Sequence, residues 1–257
     1  MNDDFVIQID NLHKAAFLNQ GTELPGLLRD LCWAYTCIGF EDKAIYYQQE
    51  AFKLDGDSIQ FYLALSPIEL FKDNFAKAID FVEKAYKIDS TRLDIQSELA
   101  ALYSYAGQNK KALEYYRGRI ASIKEGDLLT DGMHRIGYAY WENGMKEEAD
   151  YYFDKQIEYG TGEIELGRLS VHRYFAYYNL AGVYAFKGEI AKAYENLRLF
   201  NQKKVMPNWM VWFILNDPMF AGIRNEPEFQ RIAKDIETKY QAEHERIRHW
   251  LEENDML

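Results

Sequence analysis

Residues 99–116 read LAALYSYAGQNKKALEYY. On both sides of Gly107 the apolar residues recur three and four apart, the spacing of an amphipathic helix. Glycine enters the left-handed backbone region that ends a helix at little cost, so Gly107 is read as the turn between two helices. Ala100 and Ala112 stand one in each helix. A residue with almost no side chain lets two helix axes approach closely, and a leucine at either place would hold them apart. The stretch is therefore predicted to be a helical hairpin whose crossing is built from small residues.

The same arrangement recurs. Stepping back 34 residues from Ala112 gives Ala78 and then Ala44, and the forward equivalents are Ala149, 37 residues on, and Ala193, 44 beyond that. Thirteen residues before each alanine stand Leu31, Leu65, Leu99, Ile136 and Leu180. The next residue is small each time: Cys32, Ser66, Ala100, Gly137 and Ala181. Three further on come Tyr35, Glu69, Tyr103, Tyr140 and Tyr184, and five before the alanine come Gly39, Asp73, Gly107, Gly144 and Gly188. Gln48, Val82, Tyr116, Phe153 and Leu197 follow it by four. One hairpin cannot bury its own apolar stripe, so such units are expected to stack on their neighbours.

These columns resemble the tetratricopeptide repeat, a 34-residue helix-turn-helix unit. The resemblance implies an all-α fold, a right-handed α-α superhelix of about five repeats with N- and C-terminal capping helices. It divides the chain into a capping helix at 1–24, repeats at 25–58, 59–92, 93–129, 130–173 and 174–207, and capping helices at 208–257. The family often carries alanine seven residues after the central one. Ala51 and Ala85 comply, whereas Arg119, Gln156 and Phe200 do not. With longer connections after the third and fourth repeats, this predicts a tight block of three repeats, a looser junction and two more. The connection YGTGEIELGRLSVH (159–172) is expected to protrude, and Pro67, inside the first helix of repeat two, to kink it.

Composition narrows the function classes. The chain has 257 residues, 48% hydrophobic and 28% charged, as expected of a folded globular protein. Its net charge of -11 repels phosphate backbones, so nucleic acid is an unexpected partner. Cys32 and Cys37, five apart, match neither a metal-ligand spacing nor a disulfide framework and suit a reducing compartment. The start, MNDDFVIQID, lacks the basic region of a signal peptide. The longest apolar run, Trp209–Leu215, is far too short to span a membrane. The expected location is the cytoplasm. The histidines are scattered, and no zinc-protease, nucleophile-elbow or phosphate-loop motif occurs, so no catalytic residue, metal or cofactor is assigned. Glu163, Glu165 and His172 are read as part of a solvated loop rather than an acid-base site.

Towards the C-terminus, NDPMF (216–220) and NEPEF (225–229) each place a side-chain acceptor before a proline, an arrangement that starts helices. The segment resembles the closing module of bacterial multidomain tetratricopeptide regulators, which implies a sensory or interaction module. The last helix, about 227–253, carries a stripe of Phe229, Ile232, Ile236, Tyr240, Ile247 and Trp250. That stripe suits a cap, a helix that pairs with a second copy in a homodimer, or a segment folded back into the groove.

In the family the first helix of each repeat lines the inner face. The matching positions are Arg29, Trp33, Leu63, Phe71, Ser97, Tyr105, His134, Tyr138, Trp141, Phe175, Tyr178 and Phe186. Ten of them form the candidate binding groove: Arg29, Trp33, Phe71, Tyr105, His134, Tyr138, Trp141, Phe175, Tyr178 and Phe186. Aromatics dominate, and these serve either as binding anchors or as ordinary packing between helices. A lysine-arginine-asparagine clamp for a peptide's terminal carboxylate is not expected. The asparagine column holds Trp33, Pro67, Ala101, Tyr138 and Gly182, and the basic set reduces to Arg29 and Arg135. The expected function is non-catalytic binding of a protein segment or peptide by a scaffold or regulatory module. The alternative is a small-molecule sensor domain at the C-terminus of a larger signalling or transcription-regulating protein.

Overall fold

The computed structural model describes residues 4–19, 21–121, 132–167 and 172–257. Among them are thirteen α-helices, one 3-10 turn and no strand, in the order α1 Phe5–Leu18, α2 Leu24–Cys37, α3 Glu41–Asp55, α4 Ser58–Leu70, α5 Phe75–Ile88, α6 Leu93–Tyr105, α7 Asn109–Ala121, α8 Met133–Glu142, α9 Lys146–Glu165, α10 His172–Phe186, α11 Ile190–Phe200, α12 Asn208–Asn216, the 3-10 turn Pro218–Phe220, and α13 Pro227–Glu253. The all-α class expected from the repeat pattern is the class found.

Five hairpins, α2/α3, α4/α5, α6/α7, α8/α9 and α10/α11, carry the repeat columns. Ala44, Ala78, Ala112, Ala149 and Ala193 are all fully buried, as are Cys32, Ser66, Ala100 and Ala181 to within 1%. At Gly137 the reason is visible. A β-carbon there would lie 2.7 Å from the Phe153 ring and 3.0 Å from the Ala149 carbonyl oxygen, so only glycine fits. The turn column takes positive φ in every hairpin, including 71° at Gly107 and 58° at Asp73, the only non-glycine of the five. Glu69 takes the place of tyrosine in its column. Burial alone would raise its pKa, but Lys77 Nζ at 2.7 Å and Asn74 Nδ2 at 2.9 Å outweigh it and hold the carboxyl below its ordinary value.

Two compact units divide the chain. One, the N-terminal unit, holds the residues up to Ser90 together with Lys204–Trp212 and Ile236–Leu257. Its core joins Ile9 of α1, Leu31, Cys32 and Tyr35 of α2, Ala44 and Ala51 of α3, Ile68 of α4, and Ile247 and Leu251 of α13. The C-terminal part of α13 is strapped onto the first hairpin. His244 Nδ1 bonds the Ile38 carbonyl at 2.6 Å and its ring stacks on Phe40 at 4.6 Å. Arg246 pairs with Glu243 and with Asp4, the N-cap of α1. A β-carbon on Gly39 would collide with the Tyr240 hydroxyl, so glycine there serves the strap as well as the turn.

The central unit holds Thr91–Lys203 and Phe213–Asp235. Its core contains Ala100, Leu113, Tyr116, Ile136, Ala139, Tyr140, Ala149, Phe153 and Val183, and Met219 of the 3-10 turn joins them.

Several expectations are corrected. The protruding connection is helical as far as Glu165, because α9 runs straight through Gly160 and Gly162. Gly160 is buried, and a β-carbon there would sit 2.9 Å from Leu180 Cγ, so this glycine brings α9 against α10. Glu163 and Glu165 are thus helical residues, while 168–171 and the side chain of His172 lie outside the described residues. The looser junction expected after repeat three falls on residues 122–131, which lie outside the described residues; the two compact units part at Ser90/Thr91. Pro67 stands inside α4, as read from the sequence, and the helix runs on to Leu70. Within the stripe of α13, Phe229 and Ile232 are buried in the central unit and Ile236 and Ile247 in the N-terminal unit, while Tyr240 and Trp250 are half-buried.

Candidate functional site

The site is built on the first helices of the hairpins, α2 and α4 in the N-terminal unit and α6, α8 and α10 in the central unit. In each unit the chain's own residues 209–223 cover part of that surface.

The N-terminal unit receives Trp209 and Trp212 from α12. Trp209 reaches the Cys37 thiol, which burial, as the larger effect, pushes far up in pKa. Trp212 is 5% exposed. Its indole N–H donates to Asp73 Oδ1 at 2.9 Å, and its ring lies 6.2 Å from both Phe71 and Phe75. Phe71, a candidate groove residue, is thereby covered. Arg29 is half-buried and paired with Asp55 at 2.6 Å. Trp33 is the candidate groove residue of this unit that stays open, 47% exposed.

In the central unit Phe213 stacks on Tyr105 with ring centroids 6.0 Å apart. The Arg135 guanidinium lies 4.9 Å from the Phe213 ring and 5.5 Å from that of Tyr105. Its Nε is buried with no hydrogen-bond partner among the described residues. Asp217, 2% exposed, is the N-cap of the 3-10 turn. Its Oδ1 accepts from the Met219 N–H at 2.9 Å and its Oδ2 from the Tyr178 hydroxyl at 2.8 Å. Burial, reinforced by the Asp217 carboxylate, raises the Tyr178 phenol well above its ordinary pKa, so it stays protonated and donates. Arg224 Nη2 holds the Asp217 carbonyl. Gly182 lets the turn approach: a β-carbon there would stand 3.3 Å from Met219 Cβ. Phe220 is fully buried against Tyr178 and Phe229.

A cavity of about 10 Å³ remains between Tyr105, Tyr116, Arg135, Tyr138, Asp217 and Met219. That is room for one water. Burial lifts the Tyr138 phenol to about 12, with Glu142 and Asp217 adding to the effect. Beside it Phe186 meets Tyr138 at 5.7 Å and Trp141 at 5.4 Å, both edge to face, and Lys146 lies 4.9 Å above the Trp141 ring. These three aromatics are half-buried.

The structure thus gathers Tyr138, Trp141 and Phe186, places Tyr105 and Tyr178 beneath the chain's own segment, and leaves Trp33 open in the other unit. Phe175 is half-buried on α10. His134 stands apart: it is 2% exposed and turned to Gln156 of α9, with Nδ1 3.1 Å from Oε1. Sequence reasoning missed Trp212, Phe213 and Asp217 as occupants of this surface. For the two aromatics the signal was the seven-residue run WMVWFIL, apolar all round within a nine-residue helix, which marks a buried helix rather than a surface one. The helix start expected at NEPEF is found, with α13 beginning at Pro227, and Glu226 accepts from the Tyr194 hydroxyl at 2.6 Å. Among the described residues no cluster of three or more metal-ligating side chains occurs, and no helix is long and apolar enough to cross a membrane.

The tetratricopeptide-repeat profile matches residues 130–159, the hairpin α8/α9. The human cilia- and flagella-associated protein 70 is 27% identical over 94 residues, covering 37% of this chain and 8% of that protein, so the match spans a small part of the relative's length. Among solved structures, MamA is 25% identical, covering 63% of this chain and 91% of its own, with a TM-score of 0.46. YrrB, described as a TPR protein with an unusual peptide-binding site, is 21% identical, covering 74% and 91%, with a TM-score of 0.45. PilF of Pseudomonas aeruginosa is 13% identical, covering 88% and 96%, with a TM-score of 0.49. The hairpin α8/α9 thus matches the tetratricopeptide-repeat profile, and the same small-residue crossing is built into all five hairpins of this all-α chain.

Proposed function

We propose that the chain is a non-catalytic module that binds a protein segment or peptide on the open part of its first-helix surface, as a scaffold or regulatory domain in a bacterial cytoplasm. Tetratricopeptide repeats bind protein or peptide partners, and the cluster of Tyr138, Trp141 and Phe186 carries the reading to this chain. Large, stiff aromatics that are half-buried before binding lose little entropy when a partner covers them. Trp33 offers a second anchor. The sensor alternative finds no room beside Arg135, where the space holds about one water rather than a metabolite. The net charge of -11 disfavours nucleic acid. The cytoplasmic placement fits Cys32 and Cys37, which are buried and unpaired.

The test is partner recovery with the wild type, Trp141→Ala and Trp33→Ala. Recovery is expected to fall at least tenfold with Trp141→Ala while the helical content stays unchanged. Equal recovery by the wild type and both variants would remove the first-helix surface from consideration.

A further inference from the structure

The occupant of the α6, α8 and α10 surface is chemically informative. Phe213, Tyr105 and the Arg135 guanidinium lie against one another, and four residues after Phe213 Asp217 takes the Tyr178 hydroxyl. Pro218 and Met219 then line the cavity beneath Tyr138. Arg135 is answered only in part. The faces of two rings flank it, the Asp217 carboxylate acts on it through space, and its Nε lacks a hydrogen bond among the described residues. A guanidinium presents five donors in a planar fork and pairs best with a carboxylate. The segment itself comes from a helix of nine residues joined to α11 through the irregular stretch 201–207.

We propose that this surface is a recognition site for acidic-aromatic peptides, bearing an aromatic residue four positions before an Asp-Pro pair, and that residues 213–219 of the chain are its tethered occupant. A partner segment of that chemistry takes the site by displacing α12 and the 3-10 turn, and its carboxylate meets Arg135 and Tyr178. The recognised group is an internal aspartate and not a terminal carboxylate, so an amidated peptide serves as well as a free acid. The inference rests on the proposed function, of which it names the ligand class. Tethering sets a high local concentration of the occupant, on the order of millimolar for a short connection, so free peptide competes poorly with the intact chain.

The experiment uses a fluorescein-labelled, amidated peptide of residues 210–221, MVWFILNDPMFA. Fluorescence anisotropy is read against the full chain, the Phe213→Ala variant, and Phe213→Ala combined with Arg135→Met. Binding is expected to be at least tenfold tighter to Phe213→Ala than to the wild type, and at least tenfold weaker again once Arg135 is lost. A folded Phe213→Ala variant that binds no better than the wild type overturns the proposal, as does binding indifferent to Arg135. Should Phe213→Ala not fold, native-state hydrogen exchange on the wild type decides. Amides of α12 exchanging through a smaller opening than those of α8 support the tethered occupant, and exchange of both only through global unfolding refutes it. Partner recovery that still depends on Trp141 after such a failure would leave the proposed function standing.

Discussion

At the scale of single residues, the hairpins are specified by what is missing from the side chains. Gly160 and Gly162 stand two residues apart in α9 and have opposite roles. A β-carbon at Gly160 would meet three carbons of Leu180 at 2.9–3.3 Å, whereas one at Gly162 would meet nothing within 4 Å. Alanine gains about 1 kcal/mol over glycine in a helix. Overpacking costs about 1–3 kcal/mol. Urea denaturation is therefore expected to show Gly160→Ala losing about 1 kcal/mol and Gly162→Ala gaining up to that amount. Equal signs for the two would contradict the close approach of α9 to α10. Gln48 makes the complementary case. It is fully buried, and neither its amide nitrogen nor its amide oxygen has a partner among the described residues. An unanswered buried amide costs about 1–3 kcal/mol, so Gln48→Met, close in shape, is expected to raise stability by about 1 kcal/mol. A fall in stability would mean that the amide is satisfied.

At the scale of elements, α1 is tied to the first hairpin by a titratable contact. His13 Nε2 lies 2.9 Å from the Tyr35 hydroxyl, and Tyr35 stacks on Tyr47 at 5.5 Å. Burial, helped by the charge of Lys43 and opposed by Asp10, lowers the His13 pKa below its ordinary value. The folded state therefore prefers the neutral imidazole, and the unfolded chain takes up the proton first as pH falls. The contribution is fully present above about pH 6.5 and is lost on acidification, with a slope of at most about 1.4 kcal/mol per pH unit. Measured between pH 7.5 and 5, the N-terminal unit of the wild type is expected to lose stability, and His13→Gln to flatten that slope. A wild-type slope that persists unchanged in the variant would assign the effect to another group.

The elements also show what the sequence could reveal. The alanine columns gave away all five hairpins, because a small residue at a helix crossing leaves a mark that survives changes at every other position. The length of α9 stayed hidden: Gly160 and Gly162 look like breakers in one dimension, and only contact with Leu180 explains the first of them. The strap of α13 over Gly39 was equally unreadable, since it joins residues some two hundred positions apart. At the site, repeat geometry placed Tyr105, Tyr138 and Tyr178 on the first helices. It could not tell that Phe213 and Asp217 would cover two of them, because burial by a distant segment leaves no periodic trace.

At the scale of the whole molecule, each unit is completed by residues from beyond the repeats. Trp209 and Trp212 finish one first-helix surface, while Phe213, Asp217, Met219 and Phe220 finish the other. On the proposed function, a partner is left with the aromatic cluster on α8 and α10, the tryptophan on α2, and whatever the tethered segment yields. The seating of that segment is tested most directly by a double-mutant cycle on Tyr178→Phe and Asp217→Ala, followed by urea denaturation. A hydrogen bond to a buried carboxylate contributes about 1.5–3 kcal/mol, and a coupling energy of at least 1 kcal/mol is predicted between the two sites. Additive effects, within about 0.3 kcal/mol, would contradict it.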